Sequence, residues 1–410
     1  MHNLKIDSDR LWTSLMEMAK IGATEKGGVC RLALTDLDRE SRDLFVRWCV
    51  NSGCTVSFDA MGNIFARRAG RNNDLPPVMA GSHLDSQPTG GKFDGAYGVL
   101  AGLEVIRALN DAEFETEAPV EVAVWTNEEG SRFPPAMVGS GAFARIFDLA
   151  EAHGKADMDG KTIGEELARI GYKGEGCGGR DIGAYFEAHI EQGPVLEAAE
   201  KTIGVVTGGQ AQRWYEIVVT GRESHAGPTP MATRRDALVG ASEIVQAVNR
   251  IGHDFQPGAC ATVGMLQVSP NSRNVIPGEV FMTVDFRHPD DDRLKDMNDA
   301  LIVAAKAATA KHTLTLKLEQ IWSFAATPFE QSCVDAVRNG AEQGGFSHMD
   351  IVSGAGHDAI YMAGIAPSGM IFVPCEDGIS HNEIENATSE DIAAGCQVLL
   401  NAIVEKAGGH

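Results

Sequence analysis

The residues able to do chemistry in this chain gather where apolar runs break off. Residues 77–85 form an apolar run that ends in His83 and Asp85, and Asp94 follows in a glycine-rich loop. Glu128 and Glu129 stand side by side after the apolar run 119–127. His189 lies within residues 185–197, with Glu191 and Gln192 just after it. His225, His357 and His381 sit in the glycine-containing segments 221–231, 353–359 and 376–386, and Asn274 and Arg287 flank the turn 269–279. Imidazole and carboxylate are ligands for first-row metals. Asp85 is two residues beyond His83, so both side chains fall on one face of an extended chain. That suits Asp85 as the acceptor that fixes the His83 tautomer. Adjacent glutamates on a strand point to opposite faces. Only an irregular turn lets one bind metal while the other takes and gives protons. The polar cluster before Gly193 and Pro194 reads as a cavity wall more than a core strand. An arginine at a strand end can offer a fork to a substrate carboxylate. Each group also has an ordinary reading: a solvated loop carboxylate, a satisfied core histidine, a surface histidine or a solvated arginine. Taken together, His83, Asp94, Glu129, His189 and His381 supply ligands and Glu128 a spare carboxylate. That is the inventory of a two-metal hydrolytic site with one bridging carboxylate.

The elements that must position these residues alternate. Residues 8–22 and 36–52 read as amphipathic helices, the second with Thr35 and Asp38 as a capping box. Residues 54–70 read as a hairpin turning at Met61-Gly62-Asn63. Residues 77–85 read as a buried strand, and apolar positions then recur at helical spacing from Val99 to Leu109. A second apolar strand covers 119–127, and helical patterns return at 138–151 and 160–172. This alternation predicts an α/β sheet with helices on both faces, whose sites lie at the carboxyl ends of its strands. Near residue 210 the texture changes. Residues 213–221 alternate like a half-exposed strand, followed by a helix at 232–252, strands at 260–268 and 279–288, a helix at 290–310 and a strand at 312–322. Strand, helix, strand, strand, helix, strand is the split pattern of a ferredoxin-like domain. The fold expected is a larger α/β/α domain, residues 1–212 and 329–410, with an α+β domain inserted at 213–328.

The 410 residues suffice for two domains, and 43% hydrophobic content fits a soluble globular chain. A formal charge of −22 argues against nonspecific binding to nucleic acid or an anionic membrane. No long uncharged apolar run is present, and the first residues do not read as a signal peptide. The eight cysteines are scattered without a Cys-x-x-Cys, which predicts reduced thiols and a cytoplasmic setting.

The segments GSHLDSQPTGGKFDG, WTNEEGSRF, FEAHIEQGPVLE, GRESHAGPTPM, SRNVIPGEVFMTVDFRHP, SGAGHDA and GISHNEIE, in this order, resemble the motifs of the metallopeptidase M20 superfamily. More narrowly they resemble its amidase/carbamoylase branch, which includes N-carbamoyl-L-amino acid amidohydrolases, β-ureidopropionase and allantoate amidohydrolase. The resemblance spans about residues 8–405. It implies two divalent ions per subunit, zinc or else manganese, cobalt or nickel. His83 and His189 would hold one, Glu129 and His381 the other, with Asp94 bridging. Glu128 would be the general base and acid, and Asp85 would orient His83. His225 would stabilise the oxyanion, Asn274 and Arg287 would grip the substrate carboxylate, and Gln192 and His357 would line the pocket. Arg213 also matches a family position. The implied partners are a small ureido acid and a second copy of the chain, with the inserted domain acting as dimerisation and lid domain. Allantoate hydrolysis, M20-type peptidase activity and a non-catalytic metal-binding homologue are the alternatives.

Overall fold

The computed structural model describes residues 4–176 and 178–409. It divides into two compact units, one running to Gly208 and resuming at Pro328, the other Gly209–Thr327. Cys177 lies outside the described residues, and the other seven cysteines are free.

In the larger unit the chain opens with helices α1 (Ser8–Met18) and α2 (Asp36–Asn51). The first is a turn shorter than its pattern predicts. At α2 the Thr35 hydroxyl accepts from Asp38 N at 3.3 Å, as expected of a cap. The reciprocal half of the box is missing, because the Asp38 carboxylate accepts instead from Leu34 N and Arg42 Nε, at 2.7 and 2.9 Å. Strands β1 (Thr55–Phe58) and β2 (Ile64–Arg68) form the hairpin. Strand β3 (Val78–His83) is buried throughout, and helix α3 (Ala96–Asp111) follows its loop. Strand β4 (Val120–Trp125) is equally buried. The single helical pattern at 138–151 is two helices, α4 (Val138–Phe143) and α5 (Leu149–His153). The break falls where Arg145 takes a left-handed φ of 62° and Asp148 caps a new helix through Ala150 N and Glu151 N. Helix α6 (Ile163–Ile170) starts on a complete capping box, Thr162 with Glu165. Strands β5 (Ala184–Ile190) and β6 (Ile203–Gly209) lead to the insertion.

The smaller unit holds strands β7 (Ala211–Thr220), β8 (Cys260–Ser269), β9 (Glu279–His288) and β10 (Thr315–Phe324), with helices α7 (Ala237–Asp254) and α8 (Asp291–Lys311). The sheet order is β10-β7-β9-β8, antiparallel throughout, which is the ferredoxin-like order. Alternate residues such as Tyr215, Ile217 and Val219 turn to a core shared with Ile244 of α7 and Leu301 of α8. The opposite sheet face carries Trp214 and Trp322, ring centroids 4.9 Å apart.

After the return come α9 (Gln331–Gly344), α10 (Asp358–Met362), strand β11 (Ser368–Val373) and α11 (Ser389–Ala407). Phe329 N donates to Thr207 O at 2.9 Å, so departing and returning chain are hydrogen-bonded to each other. The main sheet has nine strands, β1-β2-β4-β3-β5-β11-β6 in order, with the segments Thr327–Pro328 and His348–Ser353 both paired to β6. Its four central strands, β4-β3-β5-β11, are mutually parallel. Helix α3 packs on β3, β4 and β5, and α11 packs on α3 and β11. On the other face Phe143 of α4 meets Trp125, centroids 5.2 Å apart. Parallel strands buried on both faces read as unbroken apolar runs, and all four carboxyl ends point the same way. Among the described residues no helix is long and apolar enough to cross a membrane.

Candidate active site

Each of the four parallel strands delivers polar groups at its carboxyl end. His83 closes β3, Glu128 and Glu129 follow β4, His189 is the penultimate residue of β5, and the loop carrying His381 follows β11. The sites of open α/β sheets lie at such an edge.

His83 is buried, and its Nδ1 lies 2.9 Å from the Asp85 backbone carbonyl. A carbonyl only accepts, so Nδ1 carries the proton and Nε2 presents its lone pair. His189 is fixed in the same way by the Ile190 carbonyl at 2.9 Å. The structure therefore corrects one expectation. Asp85 orients His83 through its backbone, because the chain turns immediately after β3. The Asp85 carboxylate instead accepts from Glu128 N and Glu129 N, at 3.2 and 3.3 Å. It shapes the irregular turn that the adjacent glutamates require; Asn127 enters that turn with φ 58°. Gly95 takes φ 64°, and a Cβ there would lie 2.4 Å from the His83 ring, so only glycine lets the Asp94 loop pass.

Asp94 is shared. Its Oδ1 is 3.2 Å from His189 Nε2 and 3.6 Å from His83 Nε2. Its Oδ2 is 3.4 Å from His381 Nε2, which is also 3.4 Å from Glu129 Oε2. Hydrogen bonds between such atoms ordinarily span about 2.7–3.2 Å. Ligand atoms around a tetrahedral ion with bonds of about 2.0–2.1 Å stand about 3.3–3.4 Å apart. Among the described residues three groups have separations that could hold an ion, His83–Asp94–His189, Asp94–Glu129–His381 and Glu187–His189–His357. Glu128 belongs to none of these sets, and its Oε2 stands 3.5 Å from His83 Nε2. His357 is buried against His189, ring centroids 4.5 Å apart, and its Nε2 has no hydrogen-bond partner among the described residues.

Burial dominates the electrostatics. It pushes the His83 imidazole down to about 4 and the Asp85 carboxyl up to about 7. Burial lifts Glu128 well above the usual carboxylate range, helped by the charges of Asp358 and Glu129. Glu129 is raised by burial and by the Asp94 and Asp85 charges. The exceptions are the pair that meets most closely. Burial opposes both charges, yet hydrogen bonding and mutual attraction raise His189 to about 9 and hold Asp94 below its ordinary value. Protons here occupy the place that cations would take.

Other expected residues fall as follows. Strand β5 is buried throughout, and the polar cluster before Gly193 and Pro194 lies beyond its end, where Glu191 caps the following turn through Val195 N and Leu196 N, both at 2.7 Å. Gln192, at φ 58°, donates to Asp94 Oδ2 and Ser380 Oγ, each at 3.1 Å. In the smaller unit, His225 pairs with Val275 in a short two-stranded ribbon. Its Nδ1 accepts from Gly227 N at 3.0 Å, which leaves the ring proton on Nε2. Asn274 lies beside it, its carbonyl accepting from Ala226 N at 2.8 Å. Arg287 closes on Asp285, Nη2 to Oδ2 at 2.8 Å, and Arg213 stands opposite Phe286 on the neighbouring strand. The sequence reading missed Gln87, whose N and Nε2 both donate to the Glu129 carboxylate, at 3.1 and 2.7 Å. It also missed buried Asp358, hydrogen-bonded by Ser140, and Glu385. Only their nearness in sequence to His83, His357 and His381 could have flagged them.

Residues 79–405 match the profile of peptidase family M20/M25/M40. The chain belongs to that family. It is a hydrolase, and its M20 relatives extend along its whole length. It is 48% identical over 406 residues to the N-carbamoyl-L-amino-acid amidohydrolase of Rhizobium meliloti, covering 99% of this chain and 98% of the relative. It is 31% identical to the allantoate amidohydrolase of Bacillus subtilis, covering 95% of each. The crystal structure of a hydantoinase/carbamoylase family amidase from Burkholderia multivorans superposes with a TM-score of 0.96 at 64% identity, covering 99% of each chain.

Proposed function

We propose that this M20 hydrolase cleaves the ureido C–N bond of N-carbamoyl amino acids, giving amino acid, carbon dioxide and ammonia. The observation that carries the reading is Asp94, whose two oxygens face separate donor sets while Glu128 stands beside them in neither. The 48% identity to an N-carbamoyl-L-amino-acid amidohydrolase, against 31% to an allantoate amidohydrolase, supports an N-carbamoyl amino acid over allantoate.

In this reading His83, Asp94 and His189 would hold one divalent ion, and Asp94, Glu129 and His381 the other, as zinc, manganese, cobalt or nickel. Bound there, the ions would supply Lewis acidity towards the ureido carbonyl and the attacking water. Glu128 accepts the water proton and passes it to the departing nitrogen. Standing beside the ligand sets and in neither, its carboxylate is placed to carry the proton between the two steps. His225 donates from Nε2 to the developing oxyanion. Asn274, Arg287 and Arg213 bind the substrate carboxylate, with Asp285 setting the angle of the Arg287 fork, and His357 and Gln192 line the pocket. The carbamate left after ammonia departs loses carbon dioxide. The protein works as a cytoplasmic homodimer joined through residues 213–328.

The test is ammonia release by metal-reconstituted protein. The panel holds N-carbamoyl-L-amino acids with one D-isomer, N-carbamoyl-β-alanine, allantoate and a dipeptide. Metal-dependent turnover of a carbamoyl compound is expected, falling about 10²–10⁴-fold in Glu128→Gln with metal content unchanged. Turnover of allantoate or the dipeptide alone would reassign the substrate. No turnover with any of the four metals would overturn the enzymatic reading.

A further inference from the structure

Glu385 has no role in the mechanism above, yet it is buried to 1% exposure four residues after His381. Its Oε1 accepts from Phe93 N and Asp94 N, at 3.0 and 3.1 Å. Its Oε2 accepts from Ser380 Oγ at 2.9 Å. One side chain thus grips the backbone of the shared ligand Asp94 and the residue adjoining His381. Ser380 Oγ in turn lies 3.3 Å from Asp94 Oδ2. The seat for Glu385 is shaped on both sides. A Cβ on Gly91 would lie 2.0 Å from the Glu385 Cδ, so the Gly90-Gly91 turn must pass without side chains. The segment 376–386 is closed at its feet, Glu376 N to Asn386 O at 2.8 Å and Asn386 Nδ2 to Glu376 Oε2 at 2.8 Å. Glu385 stands at that closed end, and His381 stands at the exposed tip with φ 54°.

A carboxylate buried close to another carboxylate is costly unless its lone pairs are filled. We infer that Glu385 is a positioning residue that fastens the Asp94 loop to the His381 loop, so that the second ligand set forms only when both are in place. The inference rests on the two-ion reading for its consequence, but the fastening itself can be read without metal.

Hydrogen exchange of the metal-free protein tests the fastening. In Glu385→Ala, amides at 93–94 and at 376–386 should exchange faster together, by about 10–100-fold, the loss expected for hydrogen bonds to a charged group. Glu385→Gln keeps an oxygen for the two backbone donors and should restore most of the protection. Acceleration of one segment alone, or of neither, would overturn the inference. Calorimetric titration of metal-free protein with zinc then reads the consequence. Wild type should take two equivalents, Glu385→Ala one tightly and one at least about 10-fold more weakly, and Glu385→Gln two. A wild type that takes fewer than two equivalents would sink the two-ion reading, while coupled exchange would leave the fastening standing. Two undisturbed equivalents in Glu385→Ala would overturn the positioning role even with exchange altered.

Discussion

The two halves of the proposed metal centre are built in opposite ways. His83 and His189 end buried parallel strands, and each ring is locked by a backbone carbonyl within two residues of itself. His381 rides the tip of a loop at φ 54°, its side chain 52% exposed, and its partner Glu129 is held by the Gln87 side chain and backbone. Asp94 belongs to both. The first half costs little to organise, because the sheet has already fixed its rings. The second depends on an exposed loop to bring one of its ligands into place. The difference teaches that two sites sharing one carboxylate can differ in how firmly their ligands are held as well as in ligand chemistry, two imidazoles on one side and an imidazole with a second carboxylate on the other.

The bluntest way to break this comparison is to remove what the halves share. Asp94→Ala should lose both ions by elemental analysis and bring turnover to background, a fall of about 10⁶-fold or more. His381→Ala should separate the halves. One ion stays bound, the second weakens by at least about 10–100-fold, and excess metal partly restores activity. If His381→Ala instead released both ions together, the halves would not be independent and the contrast would fail.

Proton linkage sharpens the contrast by a smaller amount. His189, raised to about 9 against 6.5 unfolded, lends stability that is complete below pH 6.5 and lost as pH climbs through 9. Glu129, raised above 4.5 chiefly by burial, loses stability in the same upward direction. His83, lowered to about 4, works the other way, but only below 6.5. Metal-free protein should therefore drop in Tm by about 5 °C or more between pH 6.5 and 9, and metal-loaded protein should not, because the ions replace those protons. Scanning calorimetry at fixed salt with and without chelator decides it. The mildest expected effect is at Gln87. Gln87→Ala should weaken only the loop-side ion, by about 10-fold, and leave the strand-side ion unchanged in a chelator competition.

What could be read in the sequence divides along the same line. His83 and His189 were legible because each ends a run of apolar residues, and a strand end is where such a sheet presents its chemistry. The ferredoxin-like order was legible because strands open on one face alternate, as 213–221 do. Glu191 and Gln192 read as lying outside the core because they follow an apolar run directly and precede Gly193 and Pro194, and Gln192 does reach Asp94. The Asp85 carboxylate was misassigned by assuming extended chain past His83, where the backbone turns instead. Glu385 and Gln87 were illegible for a different reason. Glu385 bonds to Phe93 and Asp94 from the far end of the chain, and no local pattern encodes that meeting. Helix 138–151 broke at Arg145, a residue with no compositional sign of a left-handed turn.

The hydrogen bond from Phe329 to Thr207 has a meaning for how such a chain can be remade. Departure and return at the larger unit share one bond, so excision of residues 209–327 leaves ends that a short linker can splice. The inserted unit has a hydrophobic core of its own, while the strand ends that carry His83 and His189 draw on the other core.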